Sequence, residues 1–141
     1  MNKILAFVFL TFTILTGCEK DAILSAQDLP VEITTYLNKH FPDNQVTLAK
    51  KQPRETDRFE VTLNNGFKLE FNKKYEVIDI DGTSKLPDSV VPAAILTYVN
   101  SKFPTSHIMG WEMQTRQQKV DLSNQLELIF SKDGNFLRID D

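Results

Sequence analysis

The segment Phe59–Asp81, FEVTLNNGFKLEFNKKYEVIDID, is written again as Gln118–Asp140, QKVDLSNQLELIFSKDGNFLRID, with no gap. At a constant offset of 59 positions Val61 meets Val120, Leu63 meets Leu122, Leu69 meets Leu128, Phe71 meets Phe130 and Ile80 meets Ile139. Self-similarity at one fixed spacing marks a duplicated supersecondary unit, so the fold question reduces to a single half.

Within each copy apolar and polar residues alternate. Phe59, Val61, Leu63, then Phe67, Leu69, Phe71 are separated by Glu60, Thr62, Lys68 and Glu70. A period of two is the pattern of an antiparallel sheet with one packed and one wet face; a sheet covered on both sides reads as continuous apolar runs. Asn65-Gly66 supplies the positive φ values of a tight hairpin. The second copy has the poorer Asn124-Gln125 there but carries Asp133-Gly134 at the next turn, where the first has Lys74-Tyr75. Each half keeps one strong turn.

A helix precedes each sheet segment. Leu29-Pro30 opens a stretch with Ile33, Tyr36, Leu37 and Phe41 on one stripe, closed by Pro42. Val91-Pro92, Ile95, Tyr98, Val99 and Phe103-Pro104 repeat it at an offset of 62. The change from 62 to 59 assigns the second copy a loss of three residues against Lys50–Asp57, a loop where such changes are absorbed. Gln45–Lys51 and His107–Met113 add a strand to each half. The expected fold is α+β: a tandem repeat of one helix plus about four antiparallel strands, sheets joined edge to edge and both helices on one face. Residues 29–85 form the first repeat and 86–141 the second, in one shared domain.

The N-terminus carries an address. Lys3, the apolar run Ile4–Leu15 and the small residues after it read as a signal peptide over residues 1–17. Leu15-Thr16-Gly17-Cys18 resembles a bacterial lipobox, whose cysteine is lipidated and begins the mature chain. Cys18 is the only cysteine, so a disulfide and a cysteine metal cluster are both excluded. Residues 18–28 read as a tether, and Glu19-Lys20-Asp21 suits sorting to the outer membrane, with the periplasmic or surface-facing side open. Removing the signal takes Lys3 with it and moves the net charge from −3 to −4. A mildly acidic chain without a basic tract is no nucleic-acid binder. Its membrane attachment is through acyl chains.

Catalytic chemistry finds no residue set. His40 and His107 correspond to Lys102 and Gln45 in the other copy and read as surface histidines. Asp79 and Asp81 share a strand face, as do Arg138 and Asp140, but calcium needs six or more oxygens, so these read as polar face rather than metal ligands. There is no Gly-x-Ser-x-Gly turn, and the five glycines form no phosphate loop. The expectation is a non-enzyme with no cofactor and no metal.

The second copy departs from the first on its open face. Parity sets Ile129 where the first has Glu70 and Phe136 where it has Val77, while Met109, Trp111 and Met113 alternate against Ile108. These five make a candidate partner-binding patch, since Trp and Met are enriched in interfaces. The competing reading is that Gly110 marks a bulge rotating Trp111 back into the core.

The pattern Leu-Pro, Ile, Tyr, Phe-Pro, then Val-x-Leu-x-x-Gly-x-x-Leu-x-Phe and a closing Ile-Asp resembles the PepSY-like family, also described as beta-lactamase-inhibitor-like. The resemblance covers Leu29–Asp141 in both copies and rests on structural residues. It implies a tandem α+β module of secreted bacterial proteins, with binding or inhibition of another secreted or envelope protein as the expected role. It carries no catalytic residue over. The alternative function is a small-ligand or cation-binding periplasmic protein without catalysis.

Overall fold

The computed structural model describes residues 21–52 and 58–140. The lipobox, Cys18 and most of the Lys50–Asp57 loop lie outside the described residues. Among the described residues nine strands form one antiparallel sheet in sequence order: β1 Ala22–Leu24, β2 Val46–Gln52, β3 Arg58–Leu63, β4 Lys68–Phe71, β5 Val77–Asp81, β6 Ile108–Met113, β7 Gln117–Leu122, β8 Glu127–Ser131 and β9 Phe136–Asp140. The helices are α1, Val31–His40, and α2, Ala93–Lys102. No helix among the described residues is long and apolar enough to cross a membrane.

The helices end where proline dictates. Pro30 and Pro92 immediately precede the first helical residues, and the Phe41 and Phe103 N–H groups close the last turns on the Leu37 and Val99 carbonyls. Ile33 and Leu37 of α1 and Ile95 and Val99 of α2 are buried in the same cluster as Val61, Leu69, Ile80, Val120 and Leu128. Phe71 and Phe130 belong to it too, each fully buried. Tyr36 meets Phe71 edge-on at 5.6 Å and 85°; Tyr98 meets Phe130 at 5.5 Å and 86°. The duplication therefore extends to ring geometry, and both helices cover one face of the sheet.

The halves meet at β5 and β6, where Asp79 pairs with Glu112, Ile80 with Trp111 and Asp81 with Gly110. Behind this seam the Gly82 N–H donates to the Met109 carbonyl at 2.8 Å, an approach that leaves no room for a side chain. Both halves bulge at the same places. The register slips between Val46 and Leu48 and between Ile108 and Gly110; it slips again between Glu70 and Phe71 and between Ile129 and Phe130. Each bulge inserts one residue and inverts the parity beyond it.

The poorer turns keep the conformation of the good ones. Gln125 has φ 70° and Tyr75 φ 64°, matching Gly66 at 87° and Gly134 at 83°. The strain of left-handed non-glycine residues is held by the surrounding sheet. The tether expectation needs one correction: its described part folds, with Ala22–Leu24 paired to Lys51, Lys50 and Ala49 and a 3-10 turn at Ala26–Asp28. Three residues without alternation give no strand signal in the sequence.

Candidate functional site

The five residues of the expected patch do not share an exposed surface. The Ile108–Gly110 bulge turns Trp111 to the helix face, opposite Ile80 and Val120, where it is 6% exposed and joins the core. The Ile129–Phe130 bulge does the same to Phe136, which pairs with Phe130 and stacks on Tyr98 at 4.6 Å. Met113 lies opposite Gln118, also on the helix side, at the end of its strand. Met109 is the extra residue of its bulge. Ile129 is on the open face, but it is buried beside Lys119 and Arg138, whose long stems shield it.

Trp111 is instead one half of a swap between the copies. At the offset of 62 its counterpart is Ala49, and at 59 Gln118 corresponds to Phe59. The first half packs Ala49 with Phe59, whose ring meets Tyr75 at 5.5 Å. The second packs Trp111 with Gln118, and Gly134 replaces Tyr75. Gln118 is 1% exposed, accepts from Trp111 Nε1 at 2.9 Å and donates to the carbonyls of Ser131 and Lys132 at 3.2 and 2.9 Å. Its polar atoms are satisfied, as burial requires.

The open face is charged. Its central row, followed strand by strand, is Lys50, Glu60, Glu70, Asp79, Glu112, Lys119, Ile129 and Arg138. Near the edges the charges pair, Lys50 with Glu60 at 3.4 Å and Arg58 with Glu70 at 2.8 Å. At the seam three carboxylates, Glu70, Asp79 and Glu112, stand side by side, with Asp81, Asp121 and Glu127 in the adjacent row. Burial, followed by the charges of Glu70, Glu112 and Asp81, pushes the Asp79 carboxyl up to about 6. Arg58 holds Glu70 at one end of this group, and Lys119 lies at the other, 3.6 Å from Asp121 and 3.9 Å from Glu127. Burial raises Asp121 as well, against the pull of Lys119. Among the described residues no group of three or more His, Cys, Asp or Glu side chains is arranged to hold a metal ion.

Alternation alone places Asp79 and Asp81 on one strand face, whereas Glu112 comes opposite Asp79 only through the β5–β6 pairing. A carboxyl raised in the fold favours the folded state while protonated, so that contribution is present below about pH 4 and lost as the pH climbs through 6. Asp79→Asn is expected to flatten stability between those values and raise it at pH 7 by about 1–2 kcal/mol, discounted for solvent screening. Urea unfolding at several pH values measures it.

Neither histidine has a salt-bridge partner among the described residues. His40 Nδ1 is 2.8 Å from Ser89 Oγ and its ring packs on Tyr36, with no carboxylate beside it. A groove of about 740 Å³ between α2 and the β8–β9 turn is lined by Ala93, Ala94, Tyr98 and Phe136, with Lys102 its one charged side chain.

Comparison with known proteins agrees with the duplication. The profile described as "Putative beta-lactamase-inhibitor-like, PepSY-like" matches residues 14–79 and again 57–138. A "putative periplasmic protein" of the DUF2874 family from Bacteroides vulgatus is 33% identical, with a TM-score of 0.81 over 89% of this chain and 100% of its own. A "putative calcium-regulated periplasmic protein" from Bacteroides thetaiotaomicron is 31% identical, with a TM-score of 0.81 over 86% of this chain and 97% of its own. A second Bacteroides vulgatus protein of unknown function is 29% identical, with a TM-score of 0.80 over 86% and 100%. No curated protein matches the chain.

Proposed function

The chain belongs to the PepSY-like family, and on that premise we propose that it is a non-catalytic envelope protein whose open sheet face binds another protein through a basic surface. The observation that carries this reading is the juxtaposition of Asp79 and Glu112 at the β5–β6 seam, with neither in an ion pair among the described residues, and with burial first and acidic neighbours second raising Asp79 to about 6. A chain that keeps like charges adjacent on an uncovered surface loses stability in the free state and regains it when lysine or arginine arrives. The edges of the face offer paired charges and little net attraction, so the seam sets the register of the complex.

The address half of the proposal is a lipid anchor at Cys18 in the outer membrane. It is supported by the Leu15-Thr16-Gly17-Cys18 run and by the likeness to proteins described as periplasmic. A second reading is cation binding at the same carboxylates, favoured by the likeness to a protein described as calcium-regulated. It ranks below the first because no three of the described carboxylates converge on one point.

The test is capture from envelope extract by the intact chain and by Asp79→Lys. The expected result is one protein retained by the wild type and lost at least tenfold by the variant, with a thermal midpoint no lower than that of the wild type. Equal retention by both would overturn the seam as the site. Millimolar calcium that shifts the resonances of Asp79 and Glu112, while no protein is captured, would favour the cation reading.

A further inference from the structure

The two ends of the sheet are related by the internal repeat. At the seam, β5 sets Asp79 against Glu112 and Ile80 against Trp111 of β6. On β2 the counterparts of Glu112 and Trp111 are Lys50 and Ala49, and the residues set against them are Ile23 and Leu24 of β1. Thus β1 occupies on the first half the position that β5 occupies on the second. At the far end β9 repeats β5, with Arg138 for Asp79, Ile139 for Ile80 and Asp140 for Asp81, and among the described residues no strand follows it in the sheet order. Ile80 is fully buried by the seam, whereas Ile139 is 43% exposed.

We propose that the outer edge of β9 is an interaction surface for β2 of a second copy of this chain, with β1 the short strand it displaces. In that arrangement Ile139 covers Ala49 as Ile80 covers Trp111, and Asp140 lies opposite Leu48. Three residues hold β1, and Ile23 among them is 76% exposed, so the incoming strand meets a small competitor. The contact is head to tail, so it builds rings or chains rather than a two-fold dimer. In the native chain β1 blunts an edge that would otherwise template this pairing. Arg138 against Lys50 is a like-charge pair, as Asp79 against Glu112 is in the seam, so association strengthens with added salt.

The experiment is sedimentation velocity on the full chain carrying Leu24→Pro, which removes the strand register of β1. The expected result is dimers and longer species where the wild type sediments as a monomer, growing with salt and abolished by adding Ile139→Lys. Mixing Lys50→Cys and Arg138→Cys chains on the Leu24→Pro background should give a disulfide joining 50 to 138 between copies. A Leu24→Pro chain that is folded by circular dichroism yet monomeric overturns the proposal. So do oligomers linked 138 to 138, or oligomers indifferent to Ile139→Lys. If Leu24→Pro does not fold, the same cysteine mixture in the otherwise native chain decides: a 50–138 link exceeding 138–138 supports the proposal, and the reverse overturns it.

Discussion

Trp111→Ala is expected to destabilise the chain by about 3–5 kcal/mol, the range for deleting a large buried aromatic. The indole lies at the seam between Ile80 and Val120 and is 6% exposed, so its removal opens a cavity where the two halves touch. It also strips Gln118 Oε1 of its donor at a residue with 1% exposure. The internal repeat supplies a rescue, because the first half is stable with alanine at this position and phenylalanine at the next: Ala49 and Phe59. Trp111→Ala with Gln118→Phe should recover roughly half of the loss, because the phenyl ring fills part of the void and removes the stranded amide. Urea unfolding followed by circular dichroism measures both variants. A loss below about 1 kcal/mol for the single change would mean that the indole is exposed.

Phe130→Ala is expected to cost about 3–5 kcal/mol as well, and to lower the stability of both halves together. Phe130 is fully buried, meets Tyr98 and Phe136 edge-on, and belongs to the one cluster that also holds Phe71, Ile33 and Leu37. Amide exchange in Val61, Leu69 and Ile80, all in the first half, should therefore speed up by the same free energy as exchange in Val120 and Leu128. Slow exchange persisting in the first half would show two cores.

Much of this architecture is legible in the sequence. The offset of 59, the alternation in β3 and β4 and the stripe through Ile33 and Leu37 are direct consequences of repeat, pleat and helical pitch. The bulges are not. Gly110 hints at one, but its counterpart Leu48 does not, and the slips at Phe71 and Phe130 fall between ordinary strand residues. Parity carried past a bulge assigns side chains to the wrong face, which is how Trp111 and Phe136 came to be grouped with Ile129. The charged seam was invisible for a different reason. Asp79 and Glu112 are far apart in the chain, and only the pairing of β5 with β6 makes them neighbours. Where the alternation had promised a merely wet face, the register builds a concentrated negative charge.

That charge is the centre of the functional account, and the ionisation of one side chain reports it. Carbon-detected NMR titration of the Asp79 carboxyl, in the free chain and with a lysine-rich peptide as probe, measures it directly. The free group is predicted to titrate near 6 and to fall toward the ordinary carboxylate value near 3.8 when the peptide is bound, with the largest amide shifts in β4 to β7. An Asp79 that titrates near 3.8 in the free chain, or that keeps its value in saturating peptide, would contradict the account.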